Sequence, residues 1–498
     1  MRHAFVPLAV VLSAAAAAAF NARADIPVDA ARIDALALKA MSERDVPSVV
    51  VGVVHGDELA FAKAYGLANR REKTPATVET LYQAGSITKV FTATLTAILR
   101  DEGKLALDDP LAKHLPEGTK IGSIPLAKSG ITLRQLATHA SGLQRDPSGV
   151  DRERPISSKA LLASLSDASI FWPPGDRFAY SNLGFMLLGH AIERASGESY
   201  PDLLKKRILD PLGMKSTRLA ISDADVKGLA AHYWPEDPAP RGERPPWLFG
   251  ESCAAGGLVS TLPDLAKFVS LELRARTDDA GLPVNPATLR ELITPQRLQD
   301  SSWQRAIGLG WWILHGDTLG DTVVHGGEVD GQSAMIGFSP EHKVGVVVLA
   351  NFGGDVAERL AREVFRVAVE PAIAERDAAR RLLDAQDYPA CRKAAETILA
   401  RNPEHGWARY ALGFSLLRTE PKAAAAEFEK AAKLGYNPAI CHYNAGCARA
   451  LAGERDAAFE SLWRARRAGF SDRDQVLADD DLASLRDDPR WKKLLGLD

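Results

Sequence analysis

The chain has 498 residues, 46% hydrophobic and 25% charged, which is ordinary globular composition with material for more than one core. A formal net charge of -3 and the lack of any basic stripe point away from nucleic acid. The four cysteines, Cys253, Cys391, Cys441 and Cys447, are too few for a disulfide framework, although the last three leave one bridge open. Neither they nor the histidines show zinc-site spacing, so no metal is expected.

Met1-Arg2-His3, the apolar run 4–20 and Ala22-Arg23-Ala24 read as a signal peptide over residues 1–24, cut after Ala24. That pattern predicts an exported protein, periplasmic or secreted. Residues 28–43 read as an amphipathic helix, and 49–54 and 59–65 as two strands joined through His55-Gly56-Asp57-Glu58. Gly85-Ser86-Ile87-Thr88-Lys89 reads as a turn opening into an apolar helix that ends near Gly103. Residues 105–273 are mostly short helical segments and loops. Strand signals return near 310–314, 322–325, 332–338 and 344–350, before a helix over 355–369. Strands at both ends with helices between imply one sheet built from distant parts of the chain. The expected fold is an α/β or α+β domain over residues 25–370, with a cleft between the sheet and a helical insertion.

After Glu370-Pro371 the sequence is alanine-rich and helical, giving a second, all-α domain over residues 371–498. Gly435 and Gly469, Ala431 and Ala465, and Ala424 and Ala458 recur 34 residues apart, with Gly413 and Gly446 at 33. The pattern resembles tetratricopeptide repeats, in which small residues let helix pairs stack. Such repeats imply a groove for a protein or peptide partner.

Ser86 and Lys89 are three residues apart, so on a helix the hydroxyl and the amine can meet. A hydroxyl nucleophile needs a nearby base and donors for the oxyanion it creates, and a helix N-terminus offers the latter. Three other stretches carry compatible chemistry. Tyr180-Ser181-Asn182 places an acid–base phenol beside an amide. His325-Gly326-Gly327, at the end of a strand, offers an imidazole and room for a substrate backbone. The stretch from Thr138 through His139-Ala140-Ser141-Gly142 to Leu143 reads only as a loop that shapes the domain.

In this order and spacing, and with Gly256-Gly257-Leu258-Val259-Ser260, these motifs resemble the serine β-lactamase and penicillin-binding peptidase superfamily. The similarity is to its class C β-lactamase and D-alanyl-D-alanine carboxypeptidase branch, over about residues 30–370. The resemblance implies a β-lactamase/transpeptidase-like fold, an antiparallel sheet flanked by helices with a helical subdomain. It implies acyl transfer through Ser86 without a cofactor. Lys89 would share its proton, Tyr180 would act as base, and which of the two moves first stays open. Asn182 would bond the substrate amide and Lys89. The oxyanion hole would be the backbone N–H groups of Ser86 and Glu328, and His325, Gly326 and Gly327 would bind substrate. Class C β-lactamases carry lysine where this chain has His325, and a mostly neutral histidine weakens recognition of a β-lactam carboxylate. Histidine there resembles the D,D-peptidase and D-aminopeptidase members, so D-amino-acid peptides of a peptidoglycan stem lead as substrates. A β-lactamase or carboxylesterase on the same scaffold is the alternative within chemistry. A sensor or scaffold acting through its repeats is the alternative outside it.

Overall fold

The computed structural model describes residues 28–148, 154–234, 244–274, 283–299, 304–316 and 320–495. The expected signal segment, 1–24, lies outside them.

The β-rich runs form a nine-stranded antiparallel sheet. Strand Ser48–His55 turns through Gly56, at φ +59, into strand Glu58–Asn69. On its other side Ser48–His55 pairs with Val344–Ala350, Val49 opposite Ala350 and His55 opposite Val344. The sheet then continues through Gln332–Ser339, Thr322–Val329 and Trp312–Leu314 to Arg305–Ile307 and Arg297–Leu298. Period-2 alternation divides its side chains between two cores. Val49, Val51, Val53, Val344, Val346 and Val348 pack under helices Ala30–Arg44 and Val356–Asp384. Val50, Val54, Val347 and Leu349 face the opposite core, which holds helix Thr88–Asp101.

That helix is buried from Thr88 to Leu99 on every side, as an apolar helix without a polar face must be. Its threonines do not break the pattern. Thr92, Thr94 and Thr96 return their hydroxyl hydrogens to the carbonyls of Thr88, Val90 and Thr92.

The helix expected over 355–369 is longer than its sequence signal. It runs as Val356–Asp384 with Pro371 inside, so one helix crosses the 370/371 boundary expected between domains. A helical region follows. Tyr388–Arg401 pairs with Gly406–Leu416, Pro421–Lys433 with Pro438–Leu451, and Arg455–Arg467 begins the last layer. The 34-residue spacing has a structural counterpart here. Gly435 and Gly469 both follow a helix end at positive φ, +83 and +101. A Cβ on Gly413 would lie 2.7 Å from the Phe428 ring, and one on Gly446 would lie 2.7 Å from Leu462. All four cysteines are free and buried, which removes the disulfide left open by the sequence.

Glu272, on helix Leu262–Leu273, is buried in the main core with 2% exposure. Burial pushes its carboxyl up to about 8, against a weaker pull from the Trp311 indole. Between its ordinary value of 4.5 and about 8, the unfolded chain ionises this group while the folded chain keeps its proton. The unfolded state then binds fewer protons, so stability falls as pH rises through that window. Glu272→Gln should therefore raise the melting temperature more at pH 8 than at pH 4.5. Equal shifts at both would contradict the assignment.

Candidate active site

Strand Tyr82–Gly85 leads through Ser86 and Ile87 into helix Thr88–Asp101. Gly85 takes φ +52, and a Cβ there would lie 2.6 Å from Glu328 N. A Cβ on Gly327 would be driven into the Ala84 carbonyl oxygen and to within 3.1 Å of Ser86 N. These approaches set the Ser86 backbone against that of Glu328, the two amides expected to form an oxyanion hole. Gly327 is thus required by the protein itself, to admit the nucleophile turn, before any substrate arrives. Gly326 faces Met335, with Sδ 3.4 Å from its Cβ position.

Lys89 is fully buried, and its Nζ donates to Ser86 Oγ at 3.0 Å and to the Ala255 carbonyl at 2.6 Å. Burial holds the ammonium below its ordinary pKa, while the Tyr180 phenol pulls back through charge and a hydrogen bond. Ala255 was invisible in the sequence reading because its contribution is a backbone carbonyl. It directly precedes Gly256-Gly257, where strand Leu258–Ser260 comes alongside Tyr82–Gly85.

Tyr180 lies just before helix Asn182–Ser196, whose N-cap Ser181 accepts from Gly184 N at 2.9 Å. Lys89 Nζ is 5.0 Å from the Tyr180 ring centroid. Asn182 Nδ2 donates to Asp146 Oδ1 at 2.7 Å, while Lys89 Nζ gives its hydrogens to Ser86 Oγ and the Ala255 carbonyl. Asp146 and its neighbour Arg145 were not singled out from sequence, since a charged pair in a loop carries no signature. Arg145 lies with its guanidinium 5.0 Å from the same Tyr180 ring, and its backbone carbonyl accepts Asn182 N.

His325 is buried, and burial, with Lys89 beside it, pushes its pKa down to about 3. Its Nδ1 hydrogen goes to the Gly326 carbonyl at 2.7 Å, which leaves Nε2 as an acceptor. The imidazole is therefore neutral and disposed to accept a hydrogen bond at Nε2 rather than to donate one. Ser86, Arg145, Tyr180, Asn182, His325 and Glu328 line one open cleft of about 1550 Å³.

Away from that cleft, Glu341, His342 and His405 offer ligand atoms within 4.8 Å of one another. The sequence shows no such group because Glu341-His342 and His405 are more than sixty residues apart in the chain. His405 Nδ1 accepts the Ala408 N–H at 3.2 Å, so the ring hydrogen sits on Nε2, 3.7 Å from Glu341 Oε1. That is a neutral imidazole facing a carboxylate, with its lone pair already used.

The chain matches the Beta-lactamase family over residues 33–369. It is 30% identical over 271 residues to Beta-lactamase-like protein 2 of Dictyostelium discoideum, which covers 53% of this chain and 48% of that protein. It is also 30% identical over 271 residues to the D-alanyl-D-alanine-carboxypeptidase/endopeptidase AmpH of Escherichia coli K12, covering 52% of this chain and 67% of the relative. The match thus spans about half to two thirds of these curated relatives. Among solved structures, the octameric penicillin-binding protein homologue from Pyrococcus abyssi superposes with a TM-score of 0.59 at 29% identity. That likeness covers 71% of this chain and 82% of the other. With a family match over residues 33–369, about two thirds of its length, the chain belongs to the Beta-lactamase family.

Proposed function

We propose that the protein is an exported serine hydrolase that cleaves D-amino-acid peptides by acyl transfer, in the manner of a D,D-peptidase or D-aminopeptidase. The observation that carries the reading is the Ser86–Lys89 hydrogen bond of 3.0 Å, formed by an ammonium with no exposure to water. As Ser86 Oγ attacks the substrate carbonyl, its proton passes to the Lys89–Tyr180 pair, which acts in the state one proton short of ammonium plus phenol, and from there on to the leaving amine. The Ser86 and Glu328 amides receive the oxyanion. Water then hydrolyses the ester on Ser86, and the same pair returns a proton to the serine. The similarity to a D-alanyl-D-alanine carboxypeptidase supports this substrate class.

A peptide of that class ends in a carboxylate, and neutral His325 cannot meet it with charge. Arg145, exposed at the cleft beside Tyr180, supplies the cation in this reading. The helical region beyond Val356–Asp384 is proposed as tetratricopeptide-like, on the strength of the recurring glycines and helix pairs, with a protein partner in its groove.

Two outcomes test the reading. Incubation with benzylpenicillin should add one penicilloyl mass to the mature protein and none to Ser86→Ala, read by intact-mass spectrometry. An adduct that survives in Ser86→Ala would remove the nucleophile. Arg145→Gln should lower kcat/KM about 10-fold or more for a peptide with a free D-Ala carboxylate, the worth of one charged hydrogen bond. The C-terminal amide of the same peptide should be turned over alike by both proteins. Equal losses on the two peptides would place the carboxylate elsewhere.

A further inference from the structure

The segment from His139 to Asp146 does more than shape the domain. Its backbone takes up the loop that carries Tyr180: Gly175 N donates to Ala140 O at 2.7 Å, Ala179 N to His139 O at 2.7 Å and Asn182 N to Arg145 O at 2.7 Å. His139 also uses its side chain, and it uses it twice. Nδ1 accepts the Ser181 N–H at 3.1 Å. The imidazole stacks on the Tyr180 ring, with centroids 4.2 Å and planes 27° apart. One residue therefore grips all three of Ala179, Tyr180 and Ser181.

His139 is itself held without freedom. It has no exposure, and the rings of Phe185 and Phe178 stand 4.9 and 5.7 Å from its own. Its φ of +52 is a conformation in which most L side chains are strained. Because Nδ1 accepts, the ring hydrogen sits on Nε2 and the imidazole is neutral. A protonated ring would turn an N–H against the Ser181 N–H. Burial first, then the charge of Lys89 and of Arg145, holds its pKa well below the ordinary value and so keeps the acceptor in place.

We infer that His139 is the positioning residue of Tyr180, fixing the direction of the phenol toward Lys89 through the ring stack and the Ser181 amide. Lys89 Nζ and the Arg145 guanidinium each lie 5.0 Å from the Tyr180 centroid, so the ring sits between an imidazole and two cations. A phenol free to swing would lose its alignment with the Ser86–Lys89 pair. The inference rests on the proposed role of Tyr180 in moving the Ser86 proton.

The test is a double-mutant cycle on the full-length protein, read as the acylation burst with p-nitrophenyl acetate and as the melting temperature. His139→Ala removes both grips. His139→Asn keeps an acceptor near the place of Nδ1 and tolerates positive φ, but loses the stack. With Tyr180 present, His139→Ala should slow acylation about 10- to 100-fold with KM little changed, and His139→Asn should recover part of the loss. In the Tyr180→Phe background the same substitutions should change the rate by less than ~3-fold. Equal fractional losses in both backgrounds, tracking the fall in melting temperature, would overturn the assignment and leave His139 a core residue. If His139→Ala does not fold, the Asn pair gives the same comparison. Full acylation by Tyr180→Phe alone would overturn the role of Tyr180 and this inference with it, and it needs no change at His139 to be seen.

Discussion

The site depends on one close approach, backbone against backbone, between strand Thr322–Val329 and the turn before Ser86. Gly327 leaves no room for a Cβ against Ala84, and Gly85 leaves none against Glu328. Strands pair along their hydrogen-bonding edges, but here the sheet meets the all-buried helix unit by direct contact through two glycines. Any side chain at either position would push the two halves of the fold apart at the point where Ser86 sits. Everything else in the cleft is arranged around the serine that this contact fixes.

The second constraint is electrostatic. An ammonium buried without partners costs several kcal/mol, and Lys89 offsets that with Ser86 Oγ, the Ala255 carbonyl and the Tyr180 phenol. The histidines nearby answer the same field. His325 and His139 are both buried, both kept neutral in part by the Lys89 charge, and each commits Nδ1 to a local backbone group. Their opposite use of that atom, donor in His325 and acceptor in His139, follows from which backbone group each one meets.

What was legible in the sequence were features with local periodicity. The strands near 49–54, 332–338 and 344–350 and the Ser86–Lys89 spacing were visible because short-range pattern fixes them. Features made by distant backbone were not. Ala255 contributes a carbonyl, Asp146 accepts from the Asn182 amide, and His139 is read as a loop residue until its ring is seen against Tyr180. The boundary at Pro371 follows the change to alanine-rich helical sequence that begins there. Helix Val356–Asp384 nevertheless continues through it. There the missing N–H costs one bond to the carbonyl four residues back, and the buried stripe from Val356 to Val369, with the Arg32–Glu370 and Arg401–Glu375 ion pairs, holds both sides in line.

That continuous helix bears on how the helical region can act. It leaves the sheet as the cover of Val344–Ala350 and arrives, without a break, as the first support of Tyr388–Arg401 and Gly406–Leu416. A second tie runs from the hairpin turn beyond Ser339, where Asn402 Nδ2 bonds the Glu341 carbonyl and Arg376 stands 3.8 Å from the Glu341 carboxylate. A flexible tether would transmit nothing between a bound partner and the sheet. A shared helix with a second contact near its far end fixes the orientation of the helical region against Gln332–Ser339 and Val344–Ala350. Of these, Gln332–Ser339 pairs directly with Thr322–Val329, the strand that Gly327 holds against the turn before Ser86.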